Sequence, residues 1–198
     1  NVLTNLGYIS KEVCVNARNY GIPQNRPRLL MLSVFVGDDK NKEKVILNYF
    51  NELTENKIIN DYKKSIYYKP KCIKELLRTS NRKNSKLWKE EIECTPNDTP
   101  SRRKIWNENP KIINEKGQMT SELFIRTLTT KQDRHPNSGN IYFDSGLDQK
   151  GKFRYLTPRE CLLFMGFTDD DYEKLIDNNP NQRTKGKLFT RDKIIRMA

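Results

Sequence analysis

The sequence predicts an α/β fold, and three stretches carry that expectation. Residues 29–36, Leu-Leu-Met-Leu-Ser-Val-Phe-Val, form an apolar run of strand length that reads as a buried strand. Residues 8–17 alternate enough to supply a partner strand. Between residues 41 and 59, Val45, Ile46, Tyr49, Phe50 and Leu53 recur at helical spacing. The chain has 198 residues, room for one ordinary domain or two small ones, and its 35% hydrophobic and 31% charged residues suit a modest core under a large polar surface.

The two strands are expected to pair antiparallel across the loop from Tyr20 to Pro27, where Gly21 and Pro23 mark a bend. At the mouth of the second strand, Gln24, Arg26 and Arg28 lie at alternate positions, so a period of two puts them on one face. Two fixed guanidinium forks suit a planar anion or a polar base edge. They serve equally well as surface arginines that close a loop by ion pairs. Gly37-Asp38-Asp39 breaks the strand, and Asp38 or Asp39 is placed to cap the following helix. Tyr67 and Tyr68 lead into a short helix at 72–77; they read as core or linker residues, with base stacking as the alternative.

Residues 78–118 are the most irregular part. Pro96, Pro100 and Pro110 argue against long elements there, and Trp88 and Trp106 are expected to anchor a small core. The basic clusters at 78–84 and 101–104 suit phosphate contacts or a solvated loop. In residues 124–143 two short strands flank a polar loop, whose Lys131, Gln132, Arg134 and Asn137 have the donors and acceptors to read base edges. Thr157-Pro158-Arg159-Glu160 is a helix start: Thr as N-cap, Pro at the first position, Glu at the third. Leu162, Leu163 and Met165 then pack, residues 169–172 open another turn or short helix, and residues 178–190 read as a polar, mobile loop.

Lys plus Arg number 37 against 25 Asp plus Glu, a net charge of +12. Nucleic acid is the usual partner of so basic a chain, although a lysine-rich composition bias gives the same sign. Cys14, Cys72, Cys94 and Cys161 show no C-x-x-C spacing and His135 is the only histidine, so no metal site is expected. No signal peptide and no long apolar run is visible, which points to a reducing cytoplasmic setting and no membrane association. The chain starts at Asn1, and both ends read as cut from a longer polypeptide.

Asn16-Ala17-x-x-Tyr20-Gly21-Ile22-Pro23-Gln24-x-Arg26-x-Arg28 before an apolar strand resembles the eighth sequence motif of the DNA cytosine-5 methyltransferases. Arg154-Tyr155-Leu156-Thr157-Pro158-Arg159-Glu160-Cys161-Leu162-Leu163-Phe164-Met165-Gly166-Phe167 resembles the ninth, in the right order. The resemblance implies the edge of a Rossmann-like methyltransferase sheet plus a small, irregular, mixed α+β target recognition domain. It divides the chain into the end of a catalytic domain (1–77), the recognition domain (78–152) and a ninth-motif helix returning toward the catalytic domain (153–198).

The resemblance also implies site residues. Arg28 would hydrogen-bond the carbonyl oxygen of a flipped cytosine, Arg26 would organise the nucleophile loop and a phosphate, and Gln24 would support that loop. Thr127-Leu128 matches the pair that precedes the base-reading loop, so Thr127, Thr129, Thr130, Lys131, Gln132, Arg134 and Asn137 form the expected contact set on duplex DNA. Arg154, Pro158, Arg159 and Glu160 are the structural residues of the ninth motif, with Arg159 and Glu160 read as tethers between recognition domain and sheet. The implied cofactor is S-adenosylmethionine, with no metal. The family's Phe-x-Gly-x-Gly loop, Pro-Cys nucleophile, Glu-Asn-Val segment and tenth-motif Gly-Asn-Ser are missing from this sequence. The expectation is therefore a C-terminal piece or subunit, inactive alone, that works with an N-terminal catalytic half in a bacterial restriction-modification enzyme. A non-catalytic DNA-binding remnant is the alternative.

Overall fold

The computed structural model describes residues 2–80, 82–182 and 186–197. By internal contacts the chain forms two compact units: residues 1–21 with 25–70, and residues 22–24 with 71–198. Residues 78–152 and 153–198 thus share one unit.

In the first unit a short helix α1 (Val2–Asn5) precedes β1 (Tyr8–Asn16). A 3-10 turn (Ala17–Tyr20) and the two-residue β2 (Gln24–Asn25), whose Gln24 counts with the second unit, lead to β3 (Pro27–Phe35). β1 and β3 pair antiparallel with Tyr8 opposite Phe35, Val13 opposite Leu30 and Asn16 opposite Pro27, as the alternation predicts. Gly21 sits at φ +87°, and a Cβ there would lie 2.9 Å from the Pro70 Cα, so both the turn and the close approach require glycine.

The helix expected over 41–59 is two helices, α2 (Lys40–Glu52) and α3 (Glu55–Lys63). The break has a local cause. The Thr54 side chain accepts from the Lys57 N–H and starts a new helix, so it stops the first from continuing. Asp39 caps α2 by accepting from the Asn41 and Lys42 N–H groups. The expectation of a buried β3 is corrected: Leu29, Leu30, Met31, Leu32 and Phe35 are 45–64% exposed. Among the described residues β3 has β1 as its single neighbour, and a strand apolar on both faces needs a layer on each.

The second unit holds α4 (Ile73–Leu76), α5 (Lys86–Glu93), α6 (Pro100–Glu108), β4 (Lys111–Ile113), β5 (Ile125–Arg126), β6 (Asn140–Tyr142), β7 (Phe153–Arg154), α7 (Pro158–Leu163), α8 (Asp169–Asp177), the short pair β8 (Asn181–Gln182) and β9 (Gly186–Lys187), and α9 (Arg191–Met197). The strands flanking the polar loop do not form a hairpin. β6 instead joins β4 in parallel and β7 antiparallel. Ile73, Leu76, Cys94, Ile112, Ile141, Leu156, Cys161, Leu163 and Phe164 form one core cluster around α7. Every residue of α7 is buried, and its start carries the full Thr157/Glu160 capping box. Trp106 is buried with its ring 6.1 Å from Phe153, whereas Trp88 is only partly buried. The loop expected at 178–190 includes residues 183–185, outside the described set.

Candidate nucleic-acid interface

The strand mouth in the first unit is built by asparagine chemistry. Asn16 donates from Nδ2 to Asn25 Oδ1 (2.7 Å) and accepts the Arg26 backbone N–H (3.0 Å). This fixes the main chain at Arg26. Among the described residues, no hydrogen bond or ion pair engages the Arg26 guanidinium, which is partly buried. Its pKa is held below the usual arginine value, first by burial and then by the positive charge of Arg28. Arg28 is exposed and donates to the Pro27 carbonyl (2.7 Å). Two cations that repel each other gain from any ligand offering a negative or carbonyl oxygen between them.

Gln24 departs from the expected shared solvent face. It is fully buried, donates to the Phe164 carbonyl (2.8 Å) and accepts the Leu128 N–H (3.2 Å). Its carboxamide ties the end of α7 to the Thr127-Leu128 segment. The Pro23 carbonyl adds a bond from the Ile125 N–H (3.0 Å).

The polar loop divides into residues that build it and residues it presents. Gln132 is buried: it donates to the Thr129 carbonyl (2.7 Å) and accepts from the Ser138 hydroxyl (2.9 Å). Both ends of its amide are spent, so it braces the loop and presents nothing to a base. Thr129 donates to the His135 carbonyl (3.1 Å), and Asn137 donates to the Thr127 carbonyl (3.1 Å). Thr130, Lys131 and Arg134 are exposed at the rim.

The ninth-motif residues hold the second unit together. Arg154 is fully buried and meets Glu160 through two bonds (2.7 and 2.9 Å) and Glu91 through Nε (3.2 Å). Glu160 also accepts the Thr157 N–H (2.8 Å) and the Arg78 N–H (2.9 Å). Burial raises the Glu91 pKa, against the opposing pull of Arg154. Arg159 pairs with Glu90 (2.8 Å), Glu173 (2.6 Å) and Asp169 (3.3 Å), and lies 4.4 Å over the Tyr172 ring. The Arg159 partners lie on α5 and α8, within the second unit. Pro158 takes the first position of α7.

Sequence reasoning missed a cavity of about 260 Å³ beside the loop, lined by Lys131, Arg134, Tyr155, Arg191 and Arg196 with Asp133 and Asp192. Its members are up to 65 residues apart, and no local pattern joins them. Among the described residues no cluster of three metal-ligating side chains occurs, and no helix is long and apolar enough to cross a membrane.

The first unit presents an arginine pair at a strand mouth, and the second presents a braced loop with Thr130, Lys131 and Arg134 exposed. A family model described as C-5 cytosine-specific DNA methylase matches residues 1–187. The chain belongs to that family. A similar curated protein is the type II methyltransferase M2.ScrFI of Lactococcus lactis subsp. cremoris, 25% identical over 193 residues, which cover 93% of this chain and 42% of that protein. Among solved structures, S. pombe Dnmt2 methyltransferase matches with a TM-score of 0.56 at 15% identity, over 99% of this chain and 53% of its own. Entamoeba histolytica methyltransferase EhMeth matches with a TM-score of 0.49 at 14% identity, over 98% and 49%. The chain thus spans about half the length of the relatives it matches, and its fold is methyltransferase-like α/β.

Proposed function

We propose that this chain is the C-terminal, target-recognising portion of a DNA cytosine-5 methyltransferase of a restriction-modification system. It would hold duplex DNA and help seat the flipped cytosine for a catalytic half that brings the nucleophile and S-adenosylmethionine. The observation that carries this reading is the Arg26 guanidinium beside Arg28 at the mouth of β3, its main chain held by Asn16 and its charge without a hydrogen bond or ion pair among the described residues. Adding a thiolate to cytosine puts negative charge on the ring, so preorganised cations at its carbonyl oxygen stabilise the transition state. Arg28 is assigned that oxygen and Arg26 the adjoining phosphate and nucleophile loop. Thr127, Thr130, Lys131 and Arg134 are assigned to DNA, with Thr129, Gln132 and Asn137 supporting the loop from behind.

Two observations support a separate source for the nucleophile and cofactor. Cys94 and Cys161 are buried; burial pushes the Cys94 thiol up to about 12 and Cys161 well above its ordinary value, so neither forms a thiolate near neutral pH, while the exposed Cys14 and Cys72 follow Val13 and Lys71 and lack the family's Pro-Cys context. S-adenosylmethionine supplies an electrophilic methyl on a cationic sulfonium, and the cavity beside the loop does not fit it: four cationic side chains face two carboxylates there. The exposed apolar β3 offers the sheet edge against which a catalytic half would pack.

The test is bisulfite sequencing of plasmid DNA from a host expressing this chain joined to its native flanking segments. Protected cytosines are expected within one short recurring sequence. Arg28→Ala in that enzyme is expected to lower methylation by about 10²–10³-fold, the usual cost of losing one oxyanion donor, while duplex affinity changes far less. Equal losses in turnover and affinity would refute the pocket role. A soluble enzyme that binds DNA without protecting any cytosine would favour a purely DNA-binding module.

A further inference from the structure

We propose that the cavity between the recognition loop and α9 is a seat for one backbone phosphate of the bound duplex. The inference rests on the DNA reading above and extends it to residues beyond both motifs. Arg191 and Arg196 line the cavity from α9, Lys131 and Arg134 line it from the loop, and Tyr155 forms its back wall. All belong to the second unit.

Charge favours an anion there. Four cationic side chains outnumber two carboxylates: Asp133 pairs with Arg102 from outside (3.2 Å) and with Arg134 (3.9 Å), Asp192 pairs with Arg191 (3.4 Å), and Lys131 and Arg196 add two further charges. Arg191 is set in place before any ligand arrives: it donates to the Glu93 carbonyl, lies over the Tyr155 ring at 5.8 Å, and remains one-third exposed on its side chain (36%). A guanidinium oriented by stacking and a carbonyl loses little freedom on taking a phosphate oxygen. On the opposite side the buried Gln132 braces the backbone of the loop that carries Lys131 and Arg134. Lys131, Arg134 and Arg196 are exposed, so the seat is reachable by a strand running along the loop. At about 260 Å³ the cavity has room for a phosphate and part of its water shell, and Lys131 and Arg134, which line it, belong to the loop assigned to DNA. Phosphates flanking a read base are the groups that fix register on a duplex.

The measurement is duplex affinity of the complete enzyme across a salt series, for wild type, Arg196→Gln, Arg191→Gln and Arg191→Lys. It is repeated on duplexes that each carry one neutral methylphosphonate. Losing one phosphate contact is expected to shallow the slope of log affinity on log salt by about 0.9 in both glutamine variants. One methylphosphonate position that weakens wild type should have no further effect on either of them, while Arg191→Lys, which keeps the charge but not the stacked fork, keeps the wild-type salt slope at a lower affinity. Arg196 is exposed, so its variant keeps the test intact if Arg191→Gln fails to fold. Unchanged slopes, or methylphosphonate effects identical in wild type and variants, would overturn the phosphate seat and leave the DNA reading standing. Absence of duplex binding by wild type would remove both.

Discussion

Arg154 is a charge removed from water and kept there by geometry. Glu160 grips it through two parallel bonds and Glu91 adds a third, while Tyr155 supplies a carbonyl (3.1 Å). The same carboxylates accept main-chain N–H groups from Arg78, Ser80 and Thr157, so one ionic cluster pins four segments of the second unit. A buried pair adds little over an apolar substitute, but removing one partner strands the other. Glu160→Ala is therefore expected to destabilise the chain by about 3–5 kcal/mol, read as a lowered urea midpoint at unchanged m-value. A shift under about 1 kcal/mol would mean that water reaches the cluster. Half of this arrangement was legible. Thr157-Pro158-Arg159-Glu160 announces its own cap because capping is local. The pairing of Arg154 with Glu91, 63 residues apart, leaves no trace in spacing. Gln24 was misplaced for the same reason: strand alternation assigns a face, but it says nothing of the Phe164 and Leu128 backbone groups that claimed the amide.

At the level of elements, what sequence reads well is periodicity over eight or more residues. The β1/β3 pair follows from it, whereas the cap on α2, expected at Asp38 or Asp39 and found at Asp39, and the α7 start follow from local capping chemistry. Periodicity fails on strands of two or three residues, such as β4, β6 and β7, where no period can be measured and tertiary packing decides. It also merged α2 with α3, because apolar spacing continued past a threonine whose hydroxyl restarts the helix. β3 was legible as a strand but not as an exposed one, since its apolar run reports the burial it needs and not the burial it has here. Where β7 begins, Gly151 makes room for the buried indole of Trp106: a Cβ at 151 would lie 2.0 Å from its Cη2. Gly151→Ala is expected to force the indole from its seat against Phe153, at about 1–3 kcal/mol of overpacking strain. Thermal melting reads the loss. An unchanged melting temperature would show that the ring can swing aside freely.

The whole molecule carries +12, and its response to acid follows from how its carboxylates are held. The Asp169 pKa is lowered, first by its hydrogen bond from Arg78, with Arg159 adding to the effect. The Glu173 pKa is lowered, first by its hydrogen bond from Lys86 and then through Arg159. A carboxylate depressed in the folded state contributes stability above its unfolded pKa, about 3.9 for Asp and 4.3 for Glu, and loses that contribution as pH falls through the folded value. Glu91 has the opposite sign. Its raised pKa favours the fold while it is protonated, and this contribution is lost as pH rises through the folded value. Below about pH 4, then, the α8 ion pairs fail while the excess of positive charge grows, and the second unit is expected to lose stability on that limb. Asp169→Asn tests the assignment. It removes the group that titrates, so the variant should be less stable than wild type at pH 7, and the two should converge toward pH 2. Because Asp169 is partly exposed, the gap should also narrow in high salt. Urea midpoints from pH 7 to pH 2 that run parallel for both proteins would show that Asp169 is not titrating with the fold. The acid limb would then be assigned to Glu173, whose pKa is also lowered, and to the growing positive charge.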